Sequence, residues 1–198
     1  GVVALHSVLY DGWRHLYFVY PAFVLLAAQG GQAGWRAWQR GRGGAGRSTA
    51  GTITVGLLLA VLALGTARVV WRMVAEHPFQ YVYFSVLPGP VIEQNFERDY
   101  WGLSVRPGLE WILAHDPRPQ LTVAMDERTA LPLLINLKML SPPARARFRI
   151  VPPAEADYFL SIYRWHPGPY PASAGRPVHT IRVGGAAILT VLRRRFNE

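Results

Sequence analysis

Two long apolar segments near the start of the chain predict two membrane-spanning helices. They cover about residues 16–35 and 51–70, each close to the roughly 20 residues needed to cross a bilayer core. Tyr17 and neighbouring aromatic residues stand where an interfacial belt is expected. A buried helix of a soluble protein is the alternative for the first segment. The pattern predicts a transmembrane region over residues 1–75.

From residue 76 onward, strand and helix signals alternate and predict a small α/β (or α+β) domain over residues 76–198. The run from 130 to 140 has the pattern of a helix closed by Pro142 and Pro143, and another helix is expected to begin near Arg106. The predicted strands cover residues 80–87, 121–125, 148–151, 158–163, 178–183 and 186–192. A parallel β-α-β unit and a hairpin at Gly184-Gly185 together predict a mixed sheet.

The charged residues are distributed unevenly along the chain. Residues 12–75 contain seven arginines and no acidic residue, as expected of a region without a continuous wet face. The loop over residues 36–50 carries four of these arginines, so the positive-inside rule places it in the cytoplasm. The same rule places the domain at residues 76–198 on the outer face of the membrane.

Composition narrows the class of protein further. Most of the net charge of +9 flanks the apolar segments and no nucleic-acid-binding module accompanies it, so no nucleic-acid partner is expected. The chain has no Cys, which excludes disulfides and thiolate chemistry. Twenty arginines against one lysine are typical of a GC-rich bacterial genome. Because the chain begins at Gly1 directly in apolar sequence, we expect it to be a piece of a longer protein.

The densest cluster of ionisable and aromatic residues stands at the entry of the first predicted span. Arg14 could bind a phosphate, Asp11 could orient that guanidinium, and His15 could add a donor, with Tyr17 beside them. The alternative is that Arg14 and His15 only reach to the lipid head groups while the aromatic rings anchor the helix. Both interpretations remain open on sequence alone.

Two further clusters follow the second predicted span. His77 and Tyr81 belong to an aromatic run that fits either an interfacial belt, which we favour, or a lid over a lipid-linked substrate. Asp99 could act as a base or bind an acceptor hydroxyl, and Trp101 could stack on a sugar. The favoured alternative is that Asp99 caps a turn or pairs with Arg98 while Trp101 is part of the core.

Other kinds of site find little support. Asp126 and Glu127 follow a predicted strand, but no glycine-rich phosphate loop accompanies them, so no nucleotide site is predicted. His166 and His179 lack metal-ligand spacing with a third group. No G-x-S-x-G motif of a hydrolase is present. We therefore predict no metal site and no evident cofactor, and a requirement for a divalent metal stays open.

Three spaced blocks resemble the C-terminal portion of bacterial membrane glycosyltransferases of the C-type superfamily (GT-C), which depend on polyprenyl-phosphate sugars. The blocks are YDGWRHLYFVYPAFVLLAAQG at residues 10–30, HPFQYVYFSVLPG at 77–89 and FERDYWGLS at 96–104. The resemblance covers about residues 5–115. It implies a multi-pass enzyme that takes an activated sugar from a lipid donor at the outer face and inverts its anomeric carbon. Arg14 and His15 match by position the late helix end that faces the donor.

The resemblance implies that the catalytic residues lie upstream of this chain, in an external loop near the N-terminus of the whole enzyme. The expected function is sugar transfer from a polyprenyl phosphate to a glycan, lipid or protein acceptor in the bacterial inner membrane. The partners are then the bilayer, the lipid-linked donor and the acceptor. A non-enzymatic membrane-anchored binding or scaffold module is the first alternative, and a transporter or flippase component is the second.

Overall fold

In a computed structural model, residues 19–42, 49–82, 84, 87–126, 130–164, 166 and 168–194 are described. The chain divides into two compact units, Gly1–Leu64 and Gly65–Glu198. The first contains helix α1 (Tyr20–Arg42) and the beginning of helix α2 (Thr49–Ala75), and the second contains the sheet. The helix predicted for the first apolar segment extends further than expected, because α1 continues through residues 36–42 of the predicted loop.

Helix α2 is the strongest membrane feature of the structure. Among the described residues, the segment Ile53–Ala75 is the one helical stretch long and apolar enough to cross a bilayer. Its leucines and valines are exposed, with Leu64 at 71% and Val61 at 69%. A soluble helix would bury such side chains, because leaving them in water costs about 1.5–3 kcal/mol each. This helix therefore indicates association with a membrane.

The second unit is built on a mixed sheet of five strands in the order β2-β1-β3-β5-β4. The strands are β1 (Leu121–Ala124), β2 (Phe148–Ile150), β3 (Tyr158–Ser161), β4 (Arg176–Val183) and β5 (Ala186–Arg193). Strand β1 pairs in parallel with β2 and β3, whereas β5 pairs antiparallel with β3 and β4. The predicted mixed sheet, the parallel β-α-β unit and the hairpin at Gly184-Gly185 are thus confirmed.

Helices cover one face of this sheet and form the main core. They are α4 (Val105–His115), α5 (Ala130–Lys138) and α6 (Pro142–Ala146), while α3 (Gly89–Asn95) contacts β5. Leu109 and Ile112 of α4 pack with Leu160 and Leu189 of the sheet, all fully buried. Gly108 lets α4 approach closely, since a Cβ there would lie 2.6 Å from a methyl of Leu189.

The opposite face of the sheet is more open and more polar. A small apolar cluster of Ala124, Phe159 and Leu192 lies there, partly covered by Tyr170 from the loop before β4. Because side chains alternate along a strand, Ser161 lies on the same face as Phe159, and Thr190 lies on the same face as Leu192. This face carries the candidate site described below.

Two local predictions need correction. Within the predicted strand at residues 80–87, Gln80–Val82 forms a single 3₁₀ turn in which Val82 N donates to Phe79 O at 3.0 Å. Val82 is 2% exposed and packs on Ile188. Its apolar side chain is therefore explained by burial in the core and not by pairing in a sheet. Pro142 and Pro143 do more than close α5, because they form the first turn of α6.

Candidate functional site

The membrane-entry residues singled out in the sequence lie outside the described part of the chain. They are Asp11, Arg14, His15 and Tyr17. Their role at a donor phosphate therefore stays a prediction. The other four predicted site residues, His77, Tyr81, Asp99 and Trp101, are described.

Asp99 lies buried at the centre of a hydrogen-bonded turn. It is 1% exposed and accepts hydrogen bonds from the amides of Leu103 (3.1 Å) and Ser104 (2.9 Å) and from the hydroxyls of Ser104 and Tyr81. Burial raises the pKa of Tyr81, and the adjacent carboxylate raises it further, so the phenol stays a proton donor. Asp99 therefore stabilises the turn that leads into α4, as the capping interpretation expects.

His77 and Trp101 do not join Asp99 and Tyr81. His77 is exposed and its Nδ1 lies 2.8 Å from Nε2 of Gln80, while Trp101 is 64% exposed. The prediction that Trp101 is a core residue is wrong, because its ring lies at the surface against the edge of the Tyr100 ring. Arg98, the proposed ion-pair partner of Asp99, instead donates to the carbonyl of Ala187 at 2.8 Å.

A cleft of about 240 Å³ lies on the open face of the sheet. Its lining includes Tyr163, Tyr170, Thr180, Arg182, Thr190 and Leu192. A narrow crevice shares Tyr163 and Tyr170 with the cleft and is also lined by Asp126 and Ser161. Ser161 ends the parallel strand β3, and Asp126 follows the end of the parallel strand β1. Ligands commonly bind at this edge of α/β sheets, because the loops there are free to vary.

Tyr163 is held in an unusual backbone conformation at the wall of the cleft. Its φ is +59°, a region that bulky residues rarely adopt and that costs on the order of 1–3 kcal/mol. Several contacts offset this cost. The Tyr163 amide donates to Ser161 Oγ at 3.1 Å, and its hydroxyl lies 2.5 Å from Thr190 Oγ1. A strained backbone conformation thus holds the Tyr163 ring at the wall of the cleft.

A buried arginine supports this ring from behind. The guanidinium carbon of Arg98 lies 4.1 Å from the centre of the Tyr163 ring, within cation–π range, and Arg98 is 2% exposed. Burial lowers the pKa of Arg98, and the nearby Glu93 partly restores it. Arg164 makes the same kind of contact with Tyr100 at 3.9 Å. One arginine–tyrosine stack therefore supports the Tyr163 ring itself, and a second involves the next residue, Arg164.

Tyr170 forms the second aromatic wall. Its hydroxyl oxygen accepts a hydrogen bond from Ser161 Oγ at 3.0 Å, and its ring stacks with His166 at a centroid distance of 4.3 Å. Burial raises the pKa of Tyr170, so its hydroxyl is neutral at physiological pH. The cleft thus presents two aromatic rings, the hydroxyls of Thr180 and Thr190, which lie 3.2 Å apart, and the guanidinium of Arg182, which lies 3.5 Å from Glu93.

The described lining residues of the cleft include no carboxylate and no imidazole. The described part of the chain also contains no cluster of His, Asp and Glu side chains suited to a metal. This geometry suits binding and positioning of a ligand. Sequence reasoning missed the cleft, although the strand YFLSIY and the following Pro/Gly loop contain Tyr163 and Tyr170; no local motif connects them to the threonines.

Comparison with known proteins does not assign the chain to a class: no protein-family model, curated protein or solved structure matches it significantly.

Proposed function

We propose that this chain is the C-terminal part of a membrane glycosyltransferase that transfers a sugar from a polyprenyl-phosphate donor to an envelope acceptor. The cleft between Tyr163 and Tyr170 is the observation that carries this proposal. The apolar helix Ile53–Ala75 and the three sequence blocks that resemble such enzymes support it. In this proposal α1 and α2 are two of many spans, and the sheet domain lies on the outer face of the bacterial inner membrane.

The lining of the cleft matches the chemistry of a sugar ring. A pyranose has an apolar C–H face, which packs on aromatic rings such as those of Tyr163 and Tyr170. Its hydroxyls need donors and acceptors at the rim, which Thr180 and Arg182 provide. The volume of about 240 Å³ lies below the roughly 300–1,000 Å³ of drug-sized sites, which suits one sugar unit.

The parts of the enzyme then have separate tasks. The sheet domain holds the acceptor glycan, and Arg14 with His15, oriented by Asp11, binds the donor phosphate. The catalytic carboxylate belongs to the upstream part of the longer enzyme. We therefore expect the 198-residue chain alone to be inactive, and sugar transfer by this chain alone would contradict the proposal.

The test is sugar transfer by membranes containing the longer protein, supplied with a radiolabelled polyprenyl-phosphate hexose. Removal of a stacking ring by Tyr170→Ala should raise the apparent acceptor KM about fivefold to tenfold and leave the donor KM unchanged. Arg182→Ala should have a smaller effect of the same kind. Arg106→Ala is the matched control, because Arg106 is similarly exposed but lies on α4 away from the cleft lining.

Two outcomes would overturn the assignment. If Tyr170→Ala and Arg106→Ala show equal acceptor KM values, the cleft does not bind the acceptor. If the longer protein has only two spans and no transferase activity, the chain is a membrane-anchored binding module.

A further inference from the structure

Helix α5 exposes an apolar face to the surroundings. Leu131, Leu134 and Ile135 stand at helical spacing and are 65%, 46% and 50% exposed, and Met139 extends the same face at 59%. The opposite side of α5 is the buried one, with Leu133 and Leu137 in the main core. Since soluble proteins rarely leave a contiguous apolar surface in water, this face needs a partner.

The turn before α4 extends this surface. Asn136 Nδ2 donates to the carbonyl of Gly102 at 3.0 Å, and a Cβ on Gly102 would lie 2.5 Å from Pro132. These contacts place the neighbours of Gly102, Trp101 and Leu103, beside the first turns of α5. Both are exposed, at 64% and 45%. We call the surface formed by Trp101, Leu103, Leu131, Leu134, Ile135 and Met139 the α5 face.

We propose that the α5 face lies against the lipid bilayer, with its apolar side chains in the interfacial layer. The charge pattern favours lipid over a protein partner. Residues 130–154 contain Lys138 and three arginines and no acidic residue. Arg147 donates to carbonyls of the fold, but Lys138, Arg145 and Arg149 are exposed, and such a positive segment suits an anionic lipid surface. Lys138 is exposed at the end of α5. Trp101 is the residue type enriched at membrane interfaces.

The covalent connection to the apolar helix lowers the entropic cost of this contact. The sheet domain follows Ile53–Ala75 along the chain, so a membrane anchor there keeps the domain close to lipid and little association entropy remains to be lost. The inference rests on α2 as a membrane anchor and not on sugar transfer. Contact of the α5 face with lipid gives the sheet domain a fixed orientation relative to the bilayer, with the cleft on the opposite face of the sheet from α5.

The chain has no cysteine, so single nitroxide labels can be placed without background. The labels go on Leu134→Cys, on Leu131→Cys as a second position, and on Glu110→Cys as control, because the Glu110 side chain is 48% exposed on α4. The full 198-residue chain is reconstituted in vesicles of phosphatidylethanolamine and phosphatidylglycerol. Power-saturation EPR then compares the accessibility of each label to oxygen and to a water-soluble nickel chelate.

We expect the labels at 131 and 134 to show a several-fold higher oxygen-to-nickel ratio than the label at 110, with a depth of about 5–10 Å. Replacing phosphatidylglycerol with phosphatidylcholine should reduce that ratio. Equal ratios at all three positions would overturn the proposal, because the face would then be in water. Labels protected from both oxygen and nickel would also overturn it, since they would show that protein covers the face.

Discussion

The two ends of the parallel strands contain buried polar groups of opposite kinds. At the amino ends of β1 and β3, Arg118 donates to Asp116 with a shortest distance of 2.7 Å and reaches Asp157 at 3.3 Å. Asp157 also accepts from the amide and hydroxyl of Thr122 at 3.0 and 2.8 Å. At the carboxyl ends, Tyr163 and its neighbours surround a cleft. Buried charged groups paired with one another hold a fold together, whereas a cleft lined by aromatic rings, hydroxyls and an exposed guanidinium is suited to bind a ligand.

The pKa values of the two carboxyl groups at the amino end agree with a structural role there. Hydrogen bonds from Arg118 hold the pKa of the Asp116 carboxyl well below its usual range, against the effect of burial. Burial alone would raise the pKa of Asp157, but hydrogen bonds from Thr122 and the charge of Arg118 lower it overall. Both carboxylates are therefore charged in the folded chain at any ordinary pH. The amino end is an ionic clamp, and we expect its variants to affect stability more than binding.

The largest expected effect is the loss of this clamp. Asp116→Ala leaves Arg118 and the Tyr158 hydroxyl without their shared acceptor and should lower the free energy of unfolding by about 2–4 kcal/mol. The measurement is urea unfolding of the chain in detergent. Glu110→Ala is the control, since its pair with Arg106 is half exposed and should contribute at most about 1 kcal/mol. Equal losses in the two variants would refute a structural clamp.

A matched pair of Tyr→Phe changes compares the two ends directly. Tyr158→Phe removes a hydrogen bond to the charged Asp116 at 2.9 Å and should cost about 1.5–3 kcal/mol. Tyr163→Phe removes a bond to a neutral hydroxyl on Thr190 and should cost about 0.5–1.5 kcal/mol. Both are measured by the same urea unfolding. A larger loss at Tyr163 would reverse the assignment of the structural and binding ends.

The smallest expected difference between the two ends is in how the free energy of unfolding changes at acid pH. The folded pKa of Asp116 lies below the ordinary 3.8, so the unfolded chain takes up this proton first as the pH falls. The charged Asp116 carboxylate therefore stabilises the fold fully above the unfolded pKa of 3.8. This stabilisation is lost as the pH falls from 3.8 toward the lower folded pKa, by at most about 1.4 kcal/mol per pH unit. Asp116→Asn should flatten unfolding free energy against pH below 3.8, whereas Tyr163→Phe should keep the wild-type slope. An unchanged slope in Asp116→Asn would contradict the clamp.

Much of the fold could be predicted from local patterns. The strands at Leu121–Ala124 and Phe148–Ile150 and the Gly184-Gly185 hairpin carry strong local signals, because they depend on neighbouring residues and on backbone freedom at φ of +57° and +85°. Residues 80–82 have the composition of a strand but form a 3₁₀ turn. A β-rich sequence forms a strand only where another edge accepts its hydrogen bonds.

The candidate site was harder to predict, because its residues come together through pairing order. Strand β5 is last in the sequence but lies between β3 and β4, and its Thr190 stands opposite both Ser161 and Thr180. That arrangement brings Tyr163 and Tyr170 to one cleft, which no spacing in the sequence indicates. Asp99 and Trp101 drew attention for their residue types, yet the fold buried the first in a turn and left the second at the surface.

The sequence by itself determined the position of the apolar helix α2, of the five strands and of the hairpin turn, since these depend on hydrophobic periodicity and on local backbone preference. It also determined the contrast between residues 12–75, which contain no acidic residue, and a mixed-charge remainder. Only the tertiary structure decided which polar residues pair inside the fold, as in the Asp116–Arg118 clamp, and which hydrogen-bonded residues also line a cleft, as Tyr163 and Thr190 do. The reason is physical: burial and hydrogen-bond partners belong to contacts between distant segments, and these exist only once the sheet has formed.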